Sequence, residues 1–190
     1  MNNLYQYLAK SKLFSGISEY EIKIIFTDIT YKIADYQKGY NFIVDKDNFN
    51  DLIVLLEGKI KGEMISVCGK TIRMREIESS EIIAPFYLFS STDFFPLSLS
   101  SITDIKLLKI PKSSVLALLQ RNEKFLEKYL RLTSDRFIYL SKRLEFLQFN
   151  SIAKKFAYYL LNLTNKKTGR VVLPLSIKEL ANFFGVERPS

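Results

Sequence analysis

The 190-residue sequence contains no histidine and a single cysteine, Cys68. Without histidine, the chain has no imidazole to bind a metal or a haem iron, and none to act as a general base. One cysteine excludes disulfides within the chain and any cluster of cysteines around a metal. Cys68 lies in a run typical of a strand, where we expect a small buried hydrophobic residue. The sequence therefore predicts no metal site and no cofactor.

Several patterns that mark common enzyme classes are also missing. The sequence has no P-loop, no glycine pattern for dinucleotides and no Gly-x-Ser-x-Gly nucleophile turn. Carboxylates are the remaining candidates for catalysis, and no pair of them is singled out by its position. The chain lacks a signal peptide and any apolar run of the roughly 18–20 residues that would span a membrane. We expect a non-enzymatic, cytoplasmic protein without a membrane partner.

Basic residues are concentrated in one part of the chain. The net charge is +8, from 28 lysines and arginines against 20 aspartates and glutamates. Residues 1–120 carry 14 of each sign, whereas residues 121–170 carry 12 basic and 4 acidic residues. A basic part beside a neutral part favours an anionic partner, most often nucleic acid. The alternative is a solvated, lysine-rich helix whose charge serves solubility.

The basic part opens with residues 121–148, which contain neither glycine nor proline and predict one long helix. Seven residues follow one another at alternating spacings of four and three: Leu126, Leu130, Thr133, Phe137, Leu140, Leu144 and Leu147. This period of 3.5 residues indicates a seam that faces another helix, here a second copy of the chain. An adjoining set, Phe125, Tyr129, Leu132 and Tyr139, can cover the chain's own body. The alternative is a long core helix within one domain.

The first 110 residues predict two short helices followed by many short strands. Ser18 is a good N-cap for the second helix, because acidic residues follow it in the first turn. From residue 30 to 110, short apolar runs alternate with frequent turns, and residues 51–56 form a continuous apolar run. This pattern is typical of an antiparallel barrel or roll.

An aromatic-rich segment, residues 79–96, interrupts these strands, and Pro85 disfavours a regular strand through it. The segment either lines a small-molecule pocket or packs on the roll as a helical turn and loop. Further along, we expect Ser113 or Ser114 to cap a helix and residues 171–173 to form a short strand.

The last segment, LSIKELANFFGVERPS, begins with the pattern of a capped helix. Ser176 and Glu179 have the spacing of a capping box. The apolar face of this helix consists of Leu180, Ala181 and Phe184. Gly185 permits a sharp turn, and Arg188-Pro189-Ser190 would open a second helix. We interpret this as the opening of a helix-turn-helix, and we expect the 190 residues to be part of a longer chain.

In this order, the features resemble the Crp/Fnr family of bacterial transcription regulators over nearly the whole chain. The matching pieces are Lys38-Gly39, Leu56-Glu57-Gly58-Lys59-Ile60, Leu108-Lys109-Ile110-Pro111-Lys112 and Leu175 to Gly185. The resemblance implies an α+β fold: an antiparallel, jelly-roll-like double-stranded β-roll with flanking helices, a long dimerisation helix and a truncated winged helix-turn-helix. The implied domains are 1–120 for sensing an effector, 121–148 for dimerisation and 149–190 for DNA binding.

The sequence departs from the cyclic-nucleotide-binding members where they hold the ligand. Those members carry a Gly-Glu for the ribose and, further on, an Arg that neutralises the cyclic phosphate. The matching stretches here read Ile83-Ala84-Pro85-Phe86 and Phe94-Phe95-Pro96-Leu97, without a basic residue. Because a buried phosphate without a cationic partner is costly, we do not expect binding of cyclic AMP. The expected pocket for an unidentified effector is apolar and lined by Ala84, Phe86, Phe95, Pro96, Tyr129 and Thr133.

The resemblance also implies sequence-specific binding to double-stranded DNA by a homodimer that acts on RNA polymerase. In this family, the second helix of the motif enters the major groove with its first residues on base edges. The implied DNA-binding residues are Glu187, Arg188 and Ser190 for bases, and Ser176, Lys178, Lys166 and Lys167 for phosphates. The alternative is a ligand-binding or protein-interaction module without DNA binding, which would lack a steep salt dependence on DNA.

Overall fold

The computed structural model describes residues 3–43, 49–65, 71–73, 76–92, 95–164 and 168–186. The chain divides into two units, Met1–Thr133 and Ser134–Ser190. The helices are α1 (Asn3–Lys10), α2 (Glu19–Thr27), α3 (Lys112–Arg121), α4 (Glu123–Leu147), α5 (Ile152–Leu163) and α6 (Ile177–Phe184). None of these helices combines the length and the apolar character that a membrane crossing requires.

The strands of the first unit form two antiparallel sheets. They are β1 (Lys32–Tyr36), β2 (Asn41–Ile43), β3 (Asp51–Glu57), β4 (Lys59–Ile65), β5 (Thr71–Arg73), β6 (Ile77–Glu78), β7 (Ile82–Ile83), β8 (Ser98–Ser101) and β9 (Ile105–Pro111). One sheet has the order β1-β9-β3-β7; the other has the order β2-β8-β4-β5, and β6 also pairs with β4. The predicted α+β class with antiparallel strands is confirmed, and within the described residues the two sheets are open and do not close into a barrel.

Strand β3 explains the continuous apolar run at residues 51–56. Its even-numbered residues Leu52, Val54 and Leu56 belong to a core formed with the helices of this unit. Ile53 and Leu55 face the other way, into a core that also contains residues of the second sheet, such as Ile60 and Leu99. A strand covered on both faces has no solvent side, so it shows no alternation of apolar and polar residues.

Helix α2 begins as the sequence predicts. The backbone N–H of Ser18 donates to Glu21 Oε2 at 2.8 Å, and the N–H of Glu21 donates to Ser18 Oγ at 3.2 Å. A hydrogen bond of 2.9 Å from Lys124, together with those from Ser18, lowers the pKa of Glu21 to about 2. These contacts fasten the start of α2 to the start of α4.

Helix α3 begins differently from the prediction. It starts at Lys112 with Pro111 as N-cap and has no side-chain cap, so the expected cap at Ser113 or Ser114 is wrong. Pro111 is the last residue of β9, which leads directly into the helix. The backbone N–H of Lys112 donates to the Asn50 carbonyl at 2.9 Å, and Ser114 is buried instead of capping.

The second unit contains the later part of α4 with α5 and α6. Its core is built around four buried residues: Phe146, Tyr159, Leu180 and Phe184. Ser151 caps α5 by accepting a hydrogen bond of 3.2 Å from the Lys154 N–H. Residues 171–173 form no strand, contrary to the prediction, and Val172 is 80% exposed. Their apolar side chains suit a strand, but no neighbouring strand is described in this unit.

Candidate functional site

Helix α6, the candidate first helix of a DNA-binding motif, is capped at its N-terminus by a capping box. The backbone N–H and the hydroxyl of Ser176 both donate to Glu179 Oε2, at 2.8 and 2.6 Å. The N–H of Glu179 donates back to Ser176 Oγ at 3.3 Å. The hydrogen bonds from Ser176 lower the pKa of the Glu179 carboxyl. The start of α6 therefore depends on local sequence.

The C-terminus of α6 ends in a tight turn. Gly185 has φ of +68°, and the N–H of Val186 donates to the Ala181 carbonyl at 3.0 Å. This closure at a left-handed residue is a Schellman-type helix end. Leu180, Ala181 and Phe184 are buried, as the predicted apolar face requires. The arrangement gives the chain a defined direction where it leaves α6.

Of the candidate DNA-binding residues, the structure describes Ser176 and Lys178. Lys178 lies exposed on α6, where its ammonium can meet a phosphate. Ser176 is exposed too, but its hydroxyl already takes part in the capping box. The others lie outside the described residues: Lys166, Lys167, Glu187, Arg188 and Ser190.

The predicted seam of α4 presents apolar side chains at the surface of the single chain. Its exposed members are Leu126, Leu130, Phe137, Leu140, Leu144 and Leu147. Leu130 is 55% exposed, Phe137 72% and Leu144 65%. The polar member, Thr133, donates its hydroxyl to the Leu130 carbonyl at 2.9 Å. An apolar stripe of this length is costly in water and suits burial against a partner.

The adjoining face of α4 covers the first unit at Phe125 and Tyr129, as expected. Phe125 is fully buried against Phe14, with ring centres 5.3 Å apart. The Tyr129 hydroxyl donates to the Pro85 carbonyl at 2.6 Å, and burial raises the pKa of Tyr129 to about 12. Tyr139, expected on the same face, is exposed.

Of the residues predicted to line an effector pocket, Ala84 precedes and Phe86 belongs to a turn of 3-10 helix, Pro85–Tyr87. Phe95 is buried and stacks on Phe49, with ring centres 4.8 Å apart, and meets Tyr87 edge-on at 4.9 Å. Phe86 is 38% exposed, Pro96 is half-buried and Thr133 is partly buried. Aromatic side chains of the protein itself therefore occupy the space beside Phe95.

The first unit has two surface clefts among its described residues. One, of about 460 Å³, is lined by Asp35, Tyr36, Gln37, Glu57, Asp104, Ile105 and Lys106. The other, of about 280 Å³, is lined by Phe49, Asn50, Tyr87, Leu88, Ser90, Thr92 and Lys112. Neither lining includes a residue of the predicted pocket, which remains a prediction. Among the described residues, no group of acidic or cysteine side chains is placed to hold a metal ion.

Two contacts, one at the predicted effector pocket and one at the end of α6, were not predicted from the sequence. The Pro85 carbonyl is the acceptor for Tyr129, although the residues are 44 positions apart. The Nζ of Lys155 on α5 donates to the Phe184 carbonyl at 3.1 Å. Proline at a break between strands and lysine on an amphipathic helix are both common, so no sequence signal singled them out.

Ala84 adopts a left-handed conformation, with φ of 42° and ψ of 50°. We expect Ala84→Gly to stabilise the protein by about 0.5–1 kcal/mol. The left-handed conformation costs a residue with a Cβ about 1–2 kcal/mol, and glycine avoids this cost. Part of the gain is lost because glycine has more conformational freedom in the unfolded chain. Urea unfolding measures the change. Ala117→Gly, within α3, is the control and should destabilise by about 1 kcal/mol. A destabilised Ala84→Gly variant would contradict the argument.

Comparison with known proteins gives no match to any family model and no match to a curated protein, but many solved structures are similar. A transcriptional regulator from Thermotoga maritima is 33% identical, with 67% of this chain and 97% of that chain covered and a TM-score of 0.60. The catabolite activator protein of Thermus thermophilus is 21% identical, with 94% and 82% covered and a TM-score of 0.65.

A third similar structure is the c-di-GMP-responsive global regulator of Xanthomonas campestris. It is 18% identical, with 84% of this chain and 82% of that chain covered and a TM-score of 0.54. The Thermotoga and Xanthomonas neighbours are named as regulators, and the Thermus neighbour is named as an activator. Because this chain is 33% identical to the Thermotoga regulator over 97% of that chain, and its structural neighbours are regulators with cyclic-nucleotide-binding domains, the chain belongs to the Crp/Fnr-type transcriptional regulators.

Proposed function

We propose that the protein is a homodimeric regulator that binds specific DNA sequences through a helix-turn-helix beginning at α6. The observation that carries this is the form of α6: a capping box at Ser176 and Glu179, a buried apolar face, and a closed turn at Gly185. A helix with this ending directs the chain away at a defined angle, as is required if a DNA-recognition helix follows.

The charge of the second half of the chain supports an anionic partner. Residues 121–170 carry 12 basic and 4 acidic residues. Lysines that neutralise phosphates release counterions, so binding to DNA should weaken steeply as salt rises. In this proposal Lys178, Lys166, Lys167 and Ser176 contact the backbone, and Glu187, Arg188 and Ser190 lie at base edges. The regulator would work in the cytoplasm, where it meets DNA and RNA polymerase.

The exposed seam of α4 supports a dimer. In a two-fold dimer, the same apolar stripe from each copy would pack against the other, including Thr133 as its one polar member. Two copies would also present two recognition helices, which suits an operator with two half-sites.

The first unit is proposed to bind an unidentified apolar effector and not cyclic AMP. At the positions that match the ligand-holding Glu and Arg, the described residues include Pro85 and Phe95, and Phe95 is buried among aromatic rings. A cyclic phosphate placed there would lose its hydration without gaining a cation. Calorimetry should therefore show no heat of binding with cyclic AMP, and micromolar binding would contradict this part of the proposal.

The DNA-reading role is tested by Arg188→Ala in the full-length protein. Arginine reads guanine by two hydrogen bonds to O6 and N7, so the change should cost about 1–3 kcal/mol on the specific site. Random DNA should be bound almost as well as by the wild type, because it offers no base match to lose. Competition binding between an operator, selected from random DNA by the wild type, and random DNA measures both affinities.

Lys178→Ala is the matched control for this test. It should weaken specific and random DNA alike and make the salt slope shallower by about one ion, as expected for a phosphate contact. If Arg188→Ala keeps its operator preference, Arg188 does not read bases. If the wild type selects no DNA, the protein is instead a ligand-binding or protein-interaction module.

A further inference from the structure

Lys155 connects helix α5 to the end of helix α6. Its Nζ donates a hydrogen bond of 3.1 Å to the carbonyl of Phe184, the last residue of α6. The ammonium also lies 5.9 Å from the centre of the Phe146 ring. The last carbonyls of a helix have no partner within the helix, and a cation there stabilises the negative end of its dipole. Lys155 therefore caps α6 from a neighbouring helix.

The capped carbonyl lies directly before the turn. The Val186 N–H closes that turn on the Ala181 carbonyl at 3.0 Å, with Gly185 in the left-handed region. This local hydrogen bond leaves the Phe184 carbonyl to be satisfied from elsewhere. Two hydrogen bonds thus hold the end of α6, one from within the turn and one from α5.

We propose that Lys155 is a positioning residue for DNA recognition, because it holds the point at which the chain leaves α6 towards Glu187 and Arg188. This inference rests on the proposed function. The Lys155 side chain is partly buried, and its ammonium is engaged within the protein. It therefore differs from Lys154, which is exposed on the same helix. In this proposal, Lys155 fixes the direction in which the chain leaves α6 and does not neutralise a phosphate.

The test compares Lys155→Met with Lys154→Met in the full-length protein. Methionine keeps an apolar stem beside Phe146 and removes the donor and the charge, while the control removes the same charge one residue away. The probes are random DNA and an operator selected from it by the wild type. Lys155→Met should lower the ratio of operator to random-DNA affinity about tenfold, as the loss of a charged hydrogen bond allows. The salt slope should stay unchanged.

Lys154→Met should leave the ratio at the wild-type value. Lys155→Arg should restore most of the ratio, because a guanidinium can donate to the same carbonyl. If Lys155→Met keeps the ratio, the positioning role is overturned. The same holds if it weakens both DNAs alike and makes the salt slope shallower by about one ion, since Lys155 would then be a phosphate contact.

A second measurement does not need DNA. Amide hydrogen exchange at Val186 should be about tenfold faster in Lys155→Met than in Lys154→Met, because the turn loses one of its two supports. Equal exchange in the two variants would overturn the capping role. A wild type that selects no operator would contradict the proposed function alone, and the exchange rates would still decide whether Lys155 holds the turn.

Discussion

Replacing Gly58 by alanine is expected to destabilise the protein by about 3 kcal/mol or more, a large part of the stability of an ordinary domain. Gly58 joins β3 to β4 with φ of +90°. A Cβ there would overlap the backbone oxygen of Asp104 and lie 2.8 Å from side-chain atoms of Thr103 and Ile105. The left-handed conformation alone costs a residue with a side chain about 1–2 kcal/mol.

The segment over Gly58 cannot easily move aside. The N–H of Lys59 donates to Thr103 Oγ1 at 3.0 Å, and the N–H of Ile102 donates to the Lys59 carbonyl at 2.8 Å. Relief of the overlap would therefore break hydrogen bonds that hold this turn. Urea unfolding should show a lower midpoint with an unchanged slope.

Gly39→Ala is the control for the Gly58 variant. Gly39 also has a positive φ, of +85°, but an added Cβ would meet nothing within 4 Å. Its substitution should cost about 1–2 kcal/mol, the conformational cost alone. Equal losses at the two positions would show that the overlap at Gly58 relaxes without cost.

Changing Leu140 and Leu144 together to glutamate is expected to convert the proposed dimer into monomers. Both side chains belong to the exposed seam of α4, at 43% and 65% exposure in the single chain. In the dimer, each pair of glutamates would face its two-fold mates in an apolar interface, where charges lose their hydration. Analytical sedimentation measures the change in mass.

The matched control for this pair is Ile138→Glu with Lys142→Glu. These residues have the same spacing of four and are exposed on α4, but they lie off the seam. The control adds at least as much negative charge and should remain dimeric. A Leu140 and Leu144 variant that still sediments as a dimer would remove the argument for the seam.

Features that depend on near neighbours were predictable from the sequence. The N-cap at Ser18 and the capping box of Ser176 with Glu179 each involve residues close in sequence, so local sequence indicates them. The apolar face of α6 follows in the same way from its period. The regular spacing of apolar residues on α4 was also visible, and the structure adds that these residues are exposed in the single chain.

Contacts between distant residues were decided by tertiary structure alone. The sequence did not show that Tyr129 would bond to Pro85, that Lys155 would cap α6, or that the loop at Asp104 would cover Gly58. The alternative between a barrel and a roll also stayed open until the order of the strands was known. Sequence spacing describes one helix or strand at a time, whereas these contacts depend on how separate elements pack, which buried surface and backbone geometry determine together.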